Sequence, residues 1–211
     1  MRRQAGWAGV ALGGTGRWPA STSVAFTINH TAAVTVPFAF GALVWVFLEN
    51  DFSVLYVAQN SNSALPAPYR VAALWGAHEG SLVLWILVQA TWTVAVCALS
   101  RSLPHRFAAR VIGVLGLVSA GFMLFALATS NAFERLIPAA VEGRDLNPIL
   151  QDPALAIHPP VLYTGYVGFS VAFAFAMAAM LEGQLDAAWA RWTRPWTTGA
   201  WCFLTVGIAL G

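Results

Sequence analysis

Charged residues are scarce in this sequence of 211 residues: they make up 9% of it, against 58% for apolar residues. A folded soluble domain carries about 25% charged residues, because water must solvate its surface. The 11 basic and 9 acidic residues cannot cover a water-exposed globule of this size, and the mean hydropathy of +0.66 agrees. The composition therefore excludes soluble enzyme folds and predicts a membrane protein.

Other absences exclude further classes. Lysine does not occur, and the net charge of +2 is too small to indicate a nucleic-acid partner. The two cysteines, Cys97 and Cys202, lie far apart in apolar runs, so we expect no disulfide between them. A Cys-x-x-Cys-His motif is also absent, and the chain therefore carries no site for covalent c-type haem attachment.

Apolar runs define the predicted architecture. Four of them have about the 20 residues needed to cross ~30 Å of hydrocarbon, and they cover residues 24–48, 81–99, 111–129 and 161–181. A fifth run, at 196–211, is too short to span, so we expect the natural polypeptide to continue. The prediction is an all-α, polytopic transmembrane helix bundle over residues 24–211, with four full spans and a truncated fifth. Residues 1–23 form an atypical leader rich in arginine and glycine.

The arginines predict the orientation in the membrane. Eight of the eleven lie in the leader and in the loops 100–110 and 182–195, whereas the loops 49–80 and 130–160 hold three. The positive-inside rule places the leader in the cytoplasm and the two long loops outside. Functional side chains concentrate in long polar loops, so we expect the functional site on the outer face.

His158 is the most prominent candidate in these loops, because it precedes Pro159 and Pro160 at the mouth of the fourth span. A residue before proline is biased away from the α region, and prolines suit the first turn of a following helix. We therefore expect His158 on a non-helical shelf. A neutral imidazole there suits a metal or haem iron, but a histidine that caps a helix or bonds to a loop carbonyl is the alternative. The residues alone leave both open.

Aromatic residues offer two further candidate groups. Tyr163 follows His158 just inside the span, where large rings alternate with glycines, which fits either close helix packing or a flat apolar cofactor on the rings. Trp75 and His78 lie just before the second span. Trp75 fits either the belt of tryptophans at a membrane interface or a Trp-rich outer surface that suits a porphyrin. His78 either binds a ligand or relays protons, or it forms a helix start together with Glu79, whose charge complements the helix dipole.

Three longer segments carry a family resemblance. They read WGAHEGSLVLW, GRDLNPILQDPALAIHPPVLYTGYVGFSVAFAFA and RWTRPWTTGAWCFLTVGIALG. These segments resemble the CcmF/NrfE branch of the cytochrome c assembly (haem lyase) family, and the resemblance covers roughly residues 50–211.

The resemblance implies a multi-pass protein of the bacterial inner membrane that helps to attach haem covalently to apocytochrome c at the periplasmic face. Implied partners are a periplasmic haem chaperone, apocytochrome c, the subunit that presents its reduced cysteines, and the lipid bilayer. The alternative is a haem-binding or haem-transport membrane protein without ligation activity. In the covalent attachment that the resemblance implies, haem b is the substrate.

The resemblance assigns one residue, and the chemistry of the residues themselves adds the other candidates. The histidine of the family's HPP motif corresponds to His158, as a candidate axial ligand of the haem iron. The charge of Arg144 suits a haem propionate. Trp75, Tyr163 and, more weakly, His78 are further candidates for contact with the haem, and no catalytic residue is assigned.

Some of the family's features lie outside this sequence. The Trp-rich WWD segment, a second outer histidine and the membrane histidines for a resident haem b are expected beyond Gly211. Residues 1–23 do not resemble the family's first helix. We therefore expect that these 211 residues do not complete haem attachment on their own.

Overall fold

The computed structural model describes residues 20–211 except 101, 184 and 185. This part of the chain confirms the all-α prediction, because its regular elements are helices and its β-pairing is one isolated bridge. The helices are α1 (Ala20–Leu48), α2 (Leu55–Asn60), α3 (Ala67–Ala72), α4 (His78–Leu99), α5 (His105–Thr129), α6 (Pro153–Glu182) and α7 (Ala187–Leu210), with 3-10 turns at Ala73–Trp75 and Pro148–Gln151.

Four helices are long and apolar enough to cross a membrane, which confirms the polytopic bundle. These stretches are Thr27–Leu48, His78–Leu99, His105–Thr129 and Pro153–Glu182. The fifth apolar run lies in α7, which begins at Ala187 rather than near Trp196. Asp186 explains the earlier start, since its side chain accepts the N–H groups of Ala188 and Trp189, both at 3.0 Å.

The first three long helices end where their apolar runs end, at Leu48, Leu99 and Thr129. The N-terminal ends of α4, α5 and α6 precede the runs by several residues, because their first turns contain polar residues and prolines that lower the hydropathy. Of the predicted leader, residues 1–19 lie outside the described part of the chain, and residues 20–23 begin α1.

Polar side chains link the helices inside the bundle. Ser170 on α6 donates to the Gln89 side chain on α4 at 2.8 Å, and Gln89 is 1% exposed. Asn29 on α1 donates to the Ile112 carbonyl on α5 at 2.9 Å. Such bonds hold membrane helices together where apolar burial gives no driving force. They bring α1, α4, α5 and α6 into one bundle, and α7 packs along α6.

The two long loops fold together at one end of the bundle, and we name residues 49–77 and 130–152 the loop lobe. Backbone bonds join its two segments: Leu55 N–H to the Glu134 carbonyl at 2.8 Å, Leu136 N–H to Ser53 at 2.7 Å, and Arg144 N–H to Ala58 at 2.8 Å. Its core contains the buried Val54, Val57, Leu74 and Leu146, packed against the end of α1. The lobe therefore sits as a single body at the end where α4 and α6 begin.

Two carboxylates in the loop lobe are stabilised in their charged forms. The Ser53 hydroxyl has the largest effect and lowers the pKa of Asp51 below its usual range; burial comes next and opposes it, and Arg135 lowers the pKa further. The Ser63 hydroxyl and backbone N–H groups lower the pKa of Glu142 in the same way. The Glu142 contacts cross from one segment of the lobe to the other, with Oε2 2.6 Å from the Ser63 hydroxyl.

The loop lobe is expected to loosen in acid. Both carboxyl pKa values are lower in the folded lobe than in an unfolded chain, so the folded lobe binds fewer protons. This stabilisation is present above about pH 4.5 and is lost as the pH falls through the lowered values. Amide exchange of Arg144, corrected for its intrinsic pH dependence, should accelerate between pH 5 and 3 relative to amides in the middle of α5. If the corrected exchange rates of Arg144 and of the α5 amides change equally with pH, the prediction is contradicted.

Candidate functional site

His158 lies in the second turn of α6, which corrects the expectation of a non-helical shelf. Asp152 starts this helix: its carboxylate accepts the N–H groups of Ala154 at 2.8 Å and Leu155 at 3.2 Å. Pro153 occupies the first helical position, where no N–H is needed. This N-terminal cap outweighs the extended preference of a residue before proline.

The prolines after His158 leave a backbone carbonyl of α6 without its helical hydrogen bond, and a side chain of the loop lobe donates to that carbonyl. Pro160 has no N–H, so the Ala156 carbonyl four residues earlier lacks its helical donor. The indole N–H of Trp75 donates to that oxygen at 2.9 Å. Trp75 belongs to the 3-10 turn Ala73–Trp75, and its bond therefore attaches the lobe to the first turns of α6, next to His158.

Replacing Trp75 by phenylalanine is expected to lower the free energy of unfolding by about 1–2 kcal/mol, because the Ala156 carbonyl would lose its donor. Thermal unfolding of the purified protein measures this change. Trp201→Phe is the matched control, since Trp201 is exposed on α7 and its indole N–H has no hydrogen-bond partner among the described residues. Equal shifts in the two variants would contradict a specific role for the Trp75 bond.

The His158 ring is fixed by a hydrogen bond to the neighbouring helix. Its Nδ1 lies 2.7 Å from the carbonyl oxygen of Gly207 on α7. A carbonyl only accepts, so Nδ1 carries the proton and the neutral ring keeps its lone pair on Nε2. The half-buried ring therefore bonds to a carbonyl through one nitrogen and retains a ligand atom at the other. The two interpretations of His158 from the sequence are thus compatible.

Small residues bring α6 and α7 close enough for that bond. A Cβ atom added to Gly207 would lie 2.6 Å from the Cα of Leu162, and one on Gly165 would lie 2.3 Å from the backbone nitrogen of Leu204. No larger residue fits either position without moving backbone. Gly165 is one of the glycines that alternate with large rings after His158, for which the sequence left close helix packing and a flat cofactor both open. At Gly165 the structure shows close helix packing. The role of Gly207 was missed, because its only signal was a glycine within an apolar run.

Tyr163 packs between helices five residues after His158. Its ring centroid lies 5.4 Å from that of Trp85 on α4, which in turn lies 5.5 Å from the ring of Phe122 on α5. The three rings therefore join α4, α5 and α6 near the lobe end of the bundle and leave Tyr163 half-buried.

His78 and Arg144 are placed differently. His78 is exposed as the first residue of α4, and its ring meets Phe125 edge-on with centroids 6.4 Å apart. The Arg144 side chain is exposed as well, and the lobe holds only its backbone. Within the described residues no hydrogen bond, ion pair or ring contact joins either side chain to His158, and no cluster of three metal-binding side chains occurs. The structure thus gathers Trp75, Tyr163 and His158 around the start of α6, but not the two others.

Comparison with known proteins decides the family. The model of the cytochrome C assembly protein family matches residues 75–211, which include Trp75, His158 and the whole α6–α7 pair. The chain is a member of the cytochrome c assembly protein family. The resemblance stated from the sequence is confirmed.

Relatives of this family member are similar over most of its length. It is 63% identical over 175 residues to the cytochrome c-type biogenesis protein CcmF of Pseudomonas aeruginosa, which covers 82% of this chain and 27% of the relative. For CcmF of Escherichia coli the identity is 60%, and the match covers 84% of this chain and 28% of the relative. For the cytochrome c-type biogenesis protein NrfE of Haemophilus influenzae the identity is 42%, and the match covers 92% of this chain and 30% of the relative. The chain thus spans less than a third of each of these relatives.

A solved structure, that of the cytochrome c heme lyase CcmF, is similar in fold. It gives a TM-score of 0.71 at 27% identity, covering 98% of this family member and 36% of that chain. The helix bundle and the loop lobe therefore follow an arrangement that occurs in this family.

Proposed function

We propose that this chain acts in cytochrome c biogenesis as the part of a haem lyase that holds haem during its covalent attachment to apocytochrome c. The observation that carries the proposal is the Nδ1–H bond of His158 to the Gly207 carbonyl, which leaves Nε2 as a ligand atom. The names of the relatives support it, since they are cytochrome c-type biogenesis proteins and a cytochrome c heme lyase.

The chemistry of His158 suits haem iron. Ligating histidines generally donate their other ring N–H to a carbonyl or carboxylate, which fixes the ring orientation and makes the ligating nitrogen more basic. Imidazole nitrogen is a common axial ligand of haem. His158 would bind and orient the incoming haem, here the substrate, while thiols of the apocytochrome form thioether bonds with its vinyl groups. A second axial ligand would come from outside these residues.

The neighbours of His158 have supporting parts in the proposal. Trp75 fixes the first turns of α6, and Tyr163 with Trp85 forms an aromatic wall on which the porphyrin edge would rest. Arg144 offers an exposed guanidinium to a propionate, and His78 remains a weaker candidate at the same end of the bundle.

The membrane orientation is part of the same proposal. The arginine distribution favours a periplasmic loop lobe and a cytoplasmic opposite end in the bacterial inner membrane. A periplasmic haem chaperone, apocytochrome c and the subunit that presents its reduced cysteines would then approach the lobe.

The proposal is tested by His158→Ala, placed in the full-length context and expressed in cells that lack their own family member. Holocytochrome c, detected by haem staining, should fall more than tenfold, because the haem loses an axial ligand. His30→Ala is the control: it removes an exposed histidine of α1 and should leave the yield unchanged. A wild-type yield from His158→Ala would remove this residue from the mechanism. Haem bound to the wild-type protein without any thioether product would favour the transport alternative.

A further inference from the structure

The end of the bundle opposite the loop lobe contains two adjoining hollows. One, of about 460 Å³, lies between the end of α4 and the face of α7 that carries Arg191, Trp192 and Trp196. The other, of about 570 Å³, lies between the end of α6 and the start of α5, and Arg106 lines it. Trp192 lines both, so we treat them as one feature and name it the arginine groove.

The arginine groove carries uncompensated positive charge. In the described part of the chain, Arg106 and Arg191 are exposed and form no ion pair. The described carboxylates at this end are Glu182, paired with Arg110 at 3.2 Å, and Asp186, which caps α7. The four described arginines there (Arg106, Arg110, Arg191 and Arg194) outnumber these two carboxylates, so the net charge is positive. The first turn of α5 contains no acidic residue, so its helix dipole adds to the positive potential.

The walls of the arginine groove are aromatic and apolar. The rings of Trp92 and Trp196 meet edge-on with centroids 6.2 Å apart. The ring of Trp192 is supported from the core by the buried Phe107, with centroids 5.3 Å apart. Leu99, Leu103 and Pro195 add apolar lining to the first hollow, which also contains Gly199 and the hydroxyl residues Ser100 and Ser102. The groove thus joins an apolar slot to a cationic rim, and this combination fits an amphiphile with a negatively charged head.

The depth of the groove in the membrane indicates which kind of amphiphile it binds. Leu99 ends α4 and Glu182 ends α6, and both helices have the length of a membrane span. Arg106 follows Leu99 by seven residues and Arg191 follows Glu182 by nine, each near the start of the next helix, at the level where lipid headgroups lie. Basic pockets between helices at this depth bind anionic lipid headgroups, and tryptophan is enriched at the same level.

We propose that the arginine groove binds an anionic phospholipid, with its phosphate between Arg106 and Arg191 and one acyl chain along Trp92 and Trp196. Guanidinium groups pair with phosphate oxygens through two parallel N–H bonds, which favours arginine over other cations here. A zwitterionic phospholipid brings an ammonium group close to the same arginines and is expected to bind more weakly.

Native mass spectrometry of the purified protein tests this assignment. The protein is mixed in mild detergent with phosphatidylglycerol or with phosphatidylethanolamine of the same acyl chains. We expect at least tenfold more retention of phosphatidylglycerol. The double variant R106Q/R191Q should lose this preference, and R106K/R191K, which keeps both charges, should retain part of it and shows that the groove still folds.

Arg194→Gln is the matched control, because Arg194 is exposed on the same helix as Arg191 but lines neither hollow. It should leave the lipid preference unchanged. The proposal is overturned if R194Q lowers retention as much as R106Q/R191Q, since only the overall charge would then matter. Equal retention of the two lipids would overturn it too, as would displacement of the lipid by millimolar inorganic phosphate, which would mean that the acyl chain contributes nothing.

Discussion

Replacing Gly207 by alanine should weaken haem binding about tenfold or more, although this change does not touch the imidazole. The added Cβ would lie 2.6 Å from the Cα of Leu162 and 2.8 Å from its backbone nitrogen. Because these are backbone atoms of α6, α7 has to move away and take the Gly207 carbonyl from Nδ1 of His158. Loss of such an outer partner generally costs 10–100-fold in metal affinity. Titration of the purified protein with protohaem, followed by Soret absorption, measures the change.

Gly113→Ala provides the comparison for this prediction. Gly113 also lies inside a long helix, but a Cβ there meets nothing within 4 Å. The variant should bind haem normally and gain up to about 1 kcal/mol of stability from helix propensity. If Gly207→Ala binds haem as tightly as Gly113→Ala, the carbonyl of Gly207 does not position His158.

Gly80→Ala should produce the largest loss of stability, at about 3 kcal/mol or more. Gly80 is buried in the first turn of α4, and a Cβ there would lie 1.7 Å from the Leu74 carbonyl oxygen and 2.7 Å from the Tyr56 hydroxyl. Overpacking against backbone generally costs about 1–3 kcal/mol. This change would in addition break the Tyr56 bond to the Leu74 carbonyl, now 2.8 Å long. Thermal unfolding and protease cleavage within the loop lobe would report both effects.

Gly121→Ala is the control for Gly80→Ala, because a Cβ at Gly121 in α5 also meets nothing within 4 Å. Its melting temperature should equal or slightly exceed that of the unchanged protein, for the same reason of helix propensity as in Gly113→Ala, and its protease resistance should match. A Gly80→Ala variant with an intact loop lobe would mean that the turn before α4 can move aside, and that the lobe is not rigidly attached to the bundle.

The membrane architecture could be predicted because it depends on composition and on run length. Crossing ~30 Å of hydrocarbon needs about 20 apolar residues, and this requirement is visible in any sequence. The helix starts were harder, since polar first turns and caps lower the hydropathy. Asp152-Pro153 and Asp186 are nevertheless readable as N-terminal caps. Giving that signal more weight than the bias of a residue before proline would have placed His158 in a helix.

The partners of the site residues could not be predicted in the same way. His158 and Gly207 are 49 residues apart, and Trp75 and Ala156 are 81 apart. The sequence shows that Pro160 leaves the Ala156 carbonyl without a helical donor, but not which N–H replaces it. Such pairs depend on the register between packed helices, which is set by contacts such as those of Gly165 and Gly207.

The most direct test of the central claim is the absorption spectrum of protohaem bound to the purified protein, with and without His158. The unchanged protein should give a histidine-ligated Soret band in the ferric and ferrous forms. His158→Ala should lose that band, added imidazole should restore it, and His30→Ala should leave it as it is. Ligation by Nε2 of His158 predicts this pattern. An unaltered spectrum in His158→Ala would contradict the claim.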